Sequence, residues 1–184
     1  MAASERPGLE SHHPDRALSE SWAGGEYVHT IYLGFGSNIG DRRQNLRAAV
    51  IALAPQVSVL AESVVYRTPP WGELEQPEFL NMAVKADTAL TPMELRTHVK
   101  QIEADLGRQQ SYHWGPRLID IDILLYDDLI TDTPELVIPH PRLHQRGFVL
   151  LPLATIAGDL VHPALGLTIR ELLDHVDTTG IVPA

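Results

Sequence analysis

The 184-residue chain has no cysteine. That excludes a disulfide framework, a thiolate zinc site and a cysteine nucleophile, and it fits a reducing compartment. Lysine is nearly missing as well: of 14 basic residues only Lys85 and Lys100 are lysines, and the rest are arginines. Basic residues are also outnumbered, 14 against 24 acidic, for a formal charge of -10. Such a balance argues against non-specific binding to nucleic acid or to an anionic membrane, so a polyanionic partner would need a local site. No run approaches 18 consecutive apolar residues, and the N-terminus has neither a basic n-region nor an apolar h-region. Neither a membrane span nor a signal peptide is therefore expected, and the protein should be soluble and cytoplasmic. The 44% hydrophobic content suffices for one core at this length.

Residues 1–29 are rich in Ser, Glu, Pro, Gly and His without an apolar period and read as a disordered leader. Residues 30–184 read as a single domain. Ile31, Leu33 and Phe35 alternate into Gly34, Gly36 and Gly40, predicting a strand that ends in a tight turn. Asp41 caps a helix with a buried stripe at Leu46, Val50 and Leu53, stopped by Pro55. A second strand is expected over Val57 to Arg67, a proline loop from Thr68 to Gly72, and a third strand over about Leu80 to Thr88. Thr91, Pro92 and Glu94 then form a capping box for a helix whose stripe is Leu95, Val99, Ile102 and Leu106, closed by Gly107. A polar loop from Arg108 to Pro116 follows, a plausible lid. Short helices are expected near Pro152 to Ala157 and Thr168 to His175. The order β-α-β, β-α-β with a mixed tail predicts an α+β, ferredoxin-like sandwich: a mainly antiparallel sheet with helices packed on it.

Chemistry concentrates after the polar loop. In Arg117-Leu118-Ile119-Asp120-Ile121-Asp122-Ile123, two carboxylates stand two positions apart in an apolar, β-branched run. In a strand they share one face, with Cα atoms roughly 6.6 Å apart, while Ile119, Ile121 and Ile123 take the other. Two like charges drawn from water need compensation, and Arg117 alone cannot neutralise both. Mg²⁺ suits this pair, because hard divalent cations reach proteins through one or two carboxylates while substrate phosphates and water supply the remaining ligands. Arg108, Arg117, Arg142 and Arg146 lie near this segment and offer rigid forks for phosphate.

Other signatures are weaker. Gly34-Phe35-Gly36-Ser37-Asn38-Ile39-Gly40 has Ile39 where a dinucleotide fingerprint needs its third glycine. No P-loop, Gly-x-Ser-x-Gly elbow or His-Glu-x-x-His occurs. A metal-dependent nuclease or nucleotidyltransferase could also use Asp-x-Asp, though it would need further acidic ligands and a basic track. A non-catalytic ligand-sensing module of the same fold would bind without turnover.

Taken together, Gly36-Ser37-Asn38, Tyr66-Arg67-Thr68-Pro69-Pro70, Gln76-Pro77-Glu78-Phe79-Leu80-Asn81, Trp114-Gly115-Pro116-Arg117-x-x-Asp120-x-Asp122-Ile123 and Pro139-His140 with Arg146-Gly147-Phe148 resemble the 6-hydroxymethyl-7,8-dihydropterin pyrophosphokinase family of folate biosynthesis. The resemblance spans about residues 30–165. It implies transfer of the pyrophosphoryl group of ATP to the hydroxymethyl group of the dihydropterin, releasing AMP. By the same resemblance, Asp120 and Asp122 hold two Mg²⁺ ions, and Arg108 and Arg117 join them as catalytic groups. ATP is met by Gln101, Glu103, Arg108, Trp114, Arg117, Ile123, His140 and Arg146. The pterin is met by Thr68, Pro69, Pro70, Trp71, Phe79, Asn81 and Phe148. The expected partners are these two small molecules, without nucleic acid or membrane, and a monomer is the expected state. The chain departs from the family pattern in lacking a second arginine soon after Arg108, in Phe79 where tyrosine is common, in Pro141 after the histidine, and in Trp71 where a smaller apolar residue is frequent.

Overall fold

A computed structural model describes residues 28–70, 76–107 and 117–184. The first strand, β1 (His29–Ser37), is buried on both faces and lies inside the sheet. It begins at His29, one residue inside the expected leader, where the imidazole meets Asp127 at 2.7 Å. Asp41 caps α1 (Arg42–Ala52) by accepting the Gln44 N–H, as expected.

The expected second strand is two strands. β2 (Val57–Glu62) and β3 (Tyr66–Thr68) pair with successive lengths of β4 (Phe79–Thr88). Between them Ser63 turns the chain: its N–H donates to the Ala83 carbonyl at 2.9 Å, and its hydroxyl accepts the Ala83 N–H at 2.9 Å. A serine can replace a strand partner in this way because its side chain competes for backbone bonds, a substitution invisible in the hydrophobic pattern.

Helix α2 (Pro92–Asp105) carries the expected capping box at Thr91 and Glu94, and Gly107 lies just beyond it with φ +90°. β5 (Asp120–Tyr126) pairs antiparallel with β1. The strand order is β5-β1-β4, with β2 and β3 both on the far side of β4, and all of these pairs are antiparallel. With α1 between β1 and β2 and α2 between β4 and β5, this is the ferredoxin-like arrangement expected from the sequence.

The remainder covers the second face of the sheet. Two short strands, β6 (Thr131–Asp132) and β7 (Val137–Ile138), form a small ribbon, and the last strand, β8 (Val182–Pro183), extends the sheet beyond β3. Helix α3 (Gly147–Ala157) starts five residues before the expected Pro152, which stands inside it. The sequence concealed that start because Arg146, at the N-cap position, makes no side-chain cap. The following helix, α4, is shorter than expected, Ile169–Leu173, with Thr168 and Glu171 as its capping box.

Two apolar clusters result. Ile31, Leu33 and Phe35 of β1 and Ile121 and Ile123 of β5 pack with Leu46 of α1 and Leu95, Val99 and Ile102 of α2. Tyr32, Ala83 and Leu124 pack on the other face with Leu150 and Leu153 of α3 and Leu172 of α4. α3 and α4 leave one end of that second face open.

Candidate active site

The open end is a pocket built on bare backbone. Across β1 and β5, Asp122 pairs with Gly34 and Asp120 with Gly36, so both carboxylates face positions without side chains. The two glycines that suggested a nucleotide fingerprint thus serve as a floor. Packing holds both glycines to that role: a Cβ on Gly34 would stand 3.3 Å from Leu124, and one on Gly36 would stand 2.9 Å from the Asn81 amide oxygen. Asp120, Asp122, Arg117 and Arg146 line the pocket together with Thr68, Pro69, Phe79, Asn81 and Phe148.

The charges are unevenly placed. Arg117 pairs with Asp120 through Nη1. Burial, together with the Asp120 charge, pushes the Asp122 carboxyl up to about 6. His140 Nε2 stands 3.8 Å from Asp122. Its Nδ1 accepts the Arg142 N–H at 3.2 Å, which puts the ring proton on Nε2, facing the carboxylate. Burial, with Arg146 adding to it, pulls this imidazole down to about 4, so it is neutral at ordinary pH. Burial likewise lowers Arg146, whose guanidinium lies 5.5 Å from the Phe148 ring centre.

Opposite the charges the pocket is apolar, with one polar pair. Asn81 Nδ2 donates to Thr68 Oγ1 at 2.6 Å, and both residues are buried. That bond orients the amide of Asn81 beside Phe79, while Leu124 and Val149 complete the apolar wall.

A buried asparagine ties the rims together. Asn38 is 1% exposed. Its N–H donates to the Arg117 carbonyl at 3.1 Å, its Oδ1 accepts the Arg117 N–H at 2.7 Å, and its Nδ2 donates to Gln76 Oε1 at 3.0 Å and the Pro77 carbonyl at 3.3 Å. Asn45 Nδ2 supports it by donating to Ser37 Oγ, the Ile39 carbonyl and the Leu118 carbonyl.

Comparison with known proteins completes the picture. The family model of 7,8-dihydro-6-hydroxymethylpterin-pyrophosphokinase (HPPK) matches residues 32–158. The chain belongs to this family. It is 50% identical over 152 residues to the 2-amino-4-hydroxy-6-hydroxymethyldihydropteridine pyrophosphokinase of Methylorubrum extorquens, covering 82% of this chain and 95% of that protein. With the protein of the same name from Aquifex aeolicus it shares 42% over 142 residues, 77% of this chain and 89% of the relative. The HPPK fold is also that of a solved structure, the Plasmodium falciparum HPPK-DHPS A437G with STZ-DHP, at a TM-score of 0.66 and 17% identity. That match covers 82% of this chain and 46% of the longer protein, so the chain spans about half of it.

Against the HPPK expectation, Trp71, Arg108 and Trp114 lie outside the described residues. Ile123 is 6% exposed in the cluster under α1 and α2, on the face opposite the carboxylates. Gln101 is exposed on α2 and donates to Asp105 at 2.7 Å. Glu103 is 2% exposed, where it accepts the Ile121 N–H at 2.7 Å and pairs with Lys100 at 2.9 Å. Burial outweighs Lys100 and raises its carboxyl. Pro70 is half-buried beside Pro69. No local pattern assigns a role to Asn38, Asn45, Gln76 or Leu124. Leu124 was within reach, since it follows Asp122 by two in the strand and must share its face. Asn38 stood inside a quoted motif, but its partners are 38 to 79 residues away, beyond any local pattern.

Proposed function

We propose that the protein transfers the pyrophosphoryl group of ATP to the hydroxymethyl oxygen of 6-hydroxymethyl-7,8-dihydropterin in folate synthesis, giving AMP and the dihydropterin diphosphate. The observation that carries this reading is the shared pocket: two carboxylates and two arginines at one end, and a buried Thr68–Asn81 amide pair among Phe79, Phe148 and Leu124 at the other. A polyanion suits the first end and a flat, hydrogen-bonding heterocycle the second.

The hydroxyl oxygen attacks the β-phosphorus, the bond from that phosphorus to the α-bridging oxygen breaks, and AMP leaves with that oxygen's electron pair. The hydroxyl proton goes to solvent, and no general base is assigned. Positioning and charge stabilisation dominate such transfers. Arg117 and Arg146 offset charge on the migrating group, and Asn81, held by Thr68, orients the pterin edge. His140 Nε2 lies 3.8 Å from Asp122 and is placed to meet a phosphate held at that end. Asp120 and Asp122 supply hard oxygen donors of the type Mg²⁺ takes, and no group of three or more His, Cys, Asp or Glu side chains gathers elsewhere among the described residues. Two Mg²⁺ ions held there would neutralise triphosphate oxygens. No helix among the described residues is long and apolar enough to cross a membrane.

The test is AMP formation from ATP and Mg²⁺ with and without the dihydropterin. AMP that appears only with the pterin supports the transfer. Hydrolysis independent of pterin would favour a nucleotide hydrolase, and binding of both ligands without AMP would favour a sensing module.

A further inference from the structure

The pocket's two apolar walls come from distant parts of the chain, and one segment packs against the Pro69 ring of one and against Gly147, next to Phe148, of the other. Pro69 stands at the end of β3, and Phe148 at the start of α3. Residues 177–184 run between them. At one end Gly180, with φ +79°, lies so near Pro69 that an added Cβ would stand 3.5 Å from Pro69 Cγ. At the other, a Cβ on Gly147 would stand 2.4 Å from the Asp177 carbonyl oxygen and 3.3 Å from Ile181. No side chain fits that gap, so the segment rests directly on the residue joining Arg146 to Phe148. The segment is itself ordered. Thr179 N–H donates to the Asp177 carboxylate at 2.8 Å, Ile181 N–H to the Thr178 carbonyl at 3.1 Å, and β8 pairs Val182 with Arg67 next to Thr68.

We propose that residues 177–184 act as a strap that fixes the separation of Pro69 and Phe148, and that Gly180 and Ile181 are positioning residues for the heterocycle. This rests on the reading of that wall as the pterin side. Asp120 and Asp122 lie on β5, at the opposite end of the strand order from β8. Its influence therefore falls on one substrate: displacing it moves the pterin walls and leaves the carboxylates in place.

The experiment uses Gly180→Val, which places a branched side chain against Pro69 at a strained φ, and Ile181→Ala, which removes the apolar contact at Gly147 with little risk to folding. In both, KM for the dihydropterin should rise about tenfold while KM for ATP stays within twofold. Backbone amide exchange at residues 66–68 and 148–150 should quicken, with that at 120–126 unchanged. Equal rises in both KM values, or unchanged exchange at both walls in a folded variant, would overturn the strap. The exchange measurement reads the strap even if the wild-type chain fails to turn over pterin, an outcome that would overturn the functional reading and leave the strap standing on its own evidence.

Discussion

Asn38 and Arg117, 79 residues apart, exchange a closed pair of bonds: the Asn38 N–H donates to the Arg117 carbonyl, and the Asn38 amide oxygen takes the Arg117 N–H at 2.7 Å. The same amide's nitrogen reaches Gln76. The residue that pairs with Asp120 is therefore held by the side chain that also fixes the start of the Gln76–Asn81 segment.

Asn38→Ala should lower turnover by about tenfold or more, because the Arg117 N–H loses its acceptor and only the backbone half of the pair remains, with about 1–3 kcal/mol forfeited for each buried group left without a partner. Steady-state kinetics alongside a thermal melt checks this. A variant destabilised as expected yet turning over normally would show that the bond pair serves the fold alone.

Asp120→Asn and Asp122→Asn should each abolish AMP formation while the protein remains folded, since each keeps shape and removes a hard anionic donor. Calorimetric titration with Mg²⁺ and an ATP analogue should lose its signal in parallel. Retained turnover in either variant would sink the metal assignment.

Gly36→Ala should raise KM for the dihydropterin more than KM for ATP. The added Cβ meets the Asn81 amide oxygen at 2.9 Å and must turn the amide, whose nitrogen donates to the Thr68 hydroxyl. A loss of specificity for pterins over near-analogues is the accompanying sign, because a displaced buried amide no longer penalises the wrong edge. Identical kinetics would mean that the amide yields at no cost.

Acid should weaken the fold through His162. This ring is 3% exposed and accepts the Ala164 and Leu165 N–H groups through Nδ1 at 3.3 Å each. Burial, then His144, lowers its pKa below the usual 6.5. The folded state thus binds fewer protons than the unfolded one, so the contribution is complete above about pH 6.5 and is lost as pH falls through the folded value. Urea melts at pH 7.5 and 5.5 should show a smaller acid loss in His162→Asn, whose amide oxygen can still accept both donors. Parallel losses would acquit the histidine.

Deleting residues 1–27 should leave turnover and melting temperature unchanged. Extending the deletion through His29 should cost on the order of 1 kcal/mol, since it removes a hydrogen bond to Asp127 and the first rung of β1 with Thr88. A truncated chain that fails to turn over would show that the leader belongs to the working protein.

Much of this was legible in the amino acids because its causes are local. The capping boxes at Thr91 and Thr168 follow from nearest-neighbour chemistry, and the shared face of Asp120 and Asp122 follows from strand periodicity. What stayed hidden depends on partners far along the chain. Ser63 breaks the strand by bonding Ala83, 20 residues on, and the Gly147 start of α3 packs against the distant Asp177 carbonyl. Glu103, on a helix that could equally have left it exposed, is buried because Ile121 offers an N–H.

That last contact has a consequence for solubility. β5 is the outermost strand on its side of the sheet, and a bare strand edge invites another chain to pair with it. Here the Glu103 carboxylate takes the outward N–H of Ile121, and the His140 N–H takes the carbonyl of Leu124 at 2.9 Å. The strand that bears both carboxylates is thus capped along its rim, and Glu103→Ala would expose the most functionally charged strand of the molecule to association with its own copies.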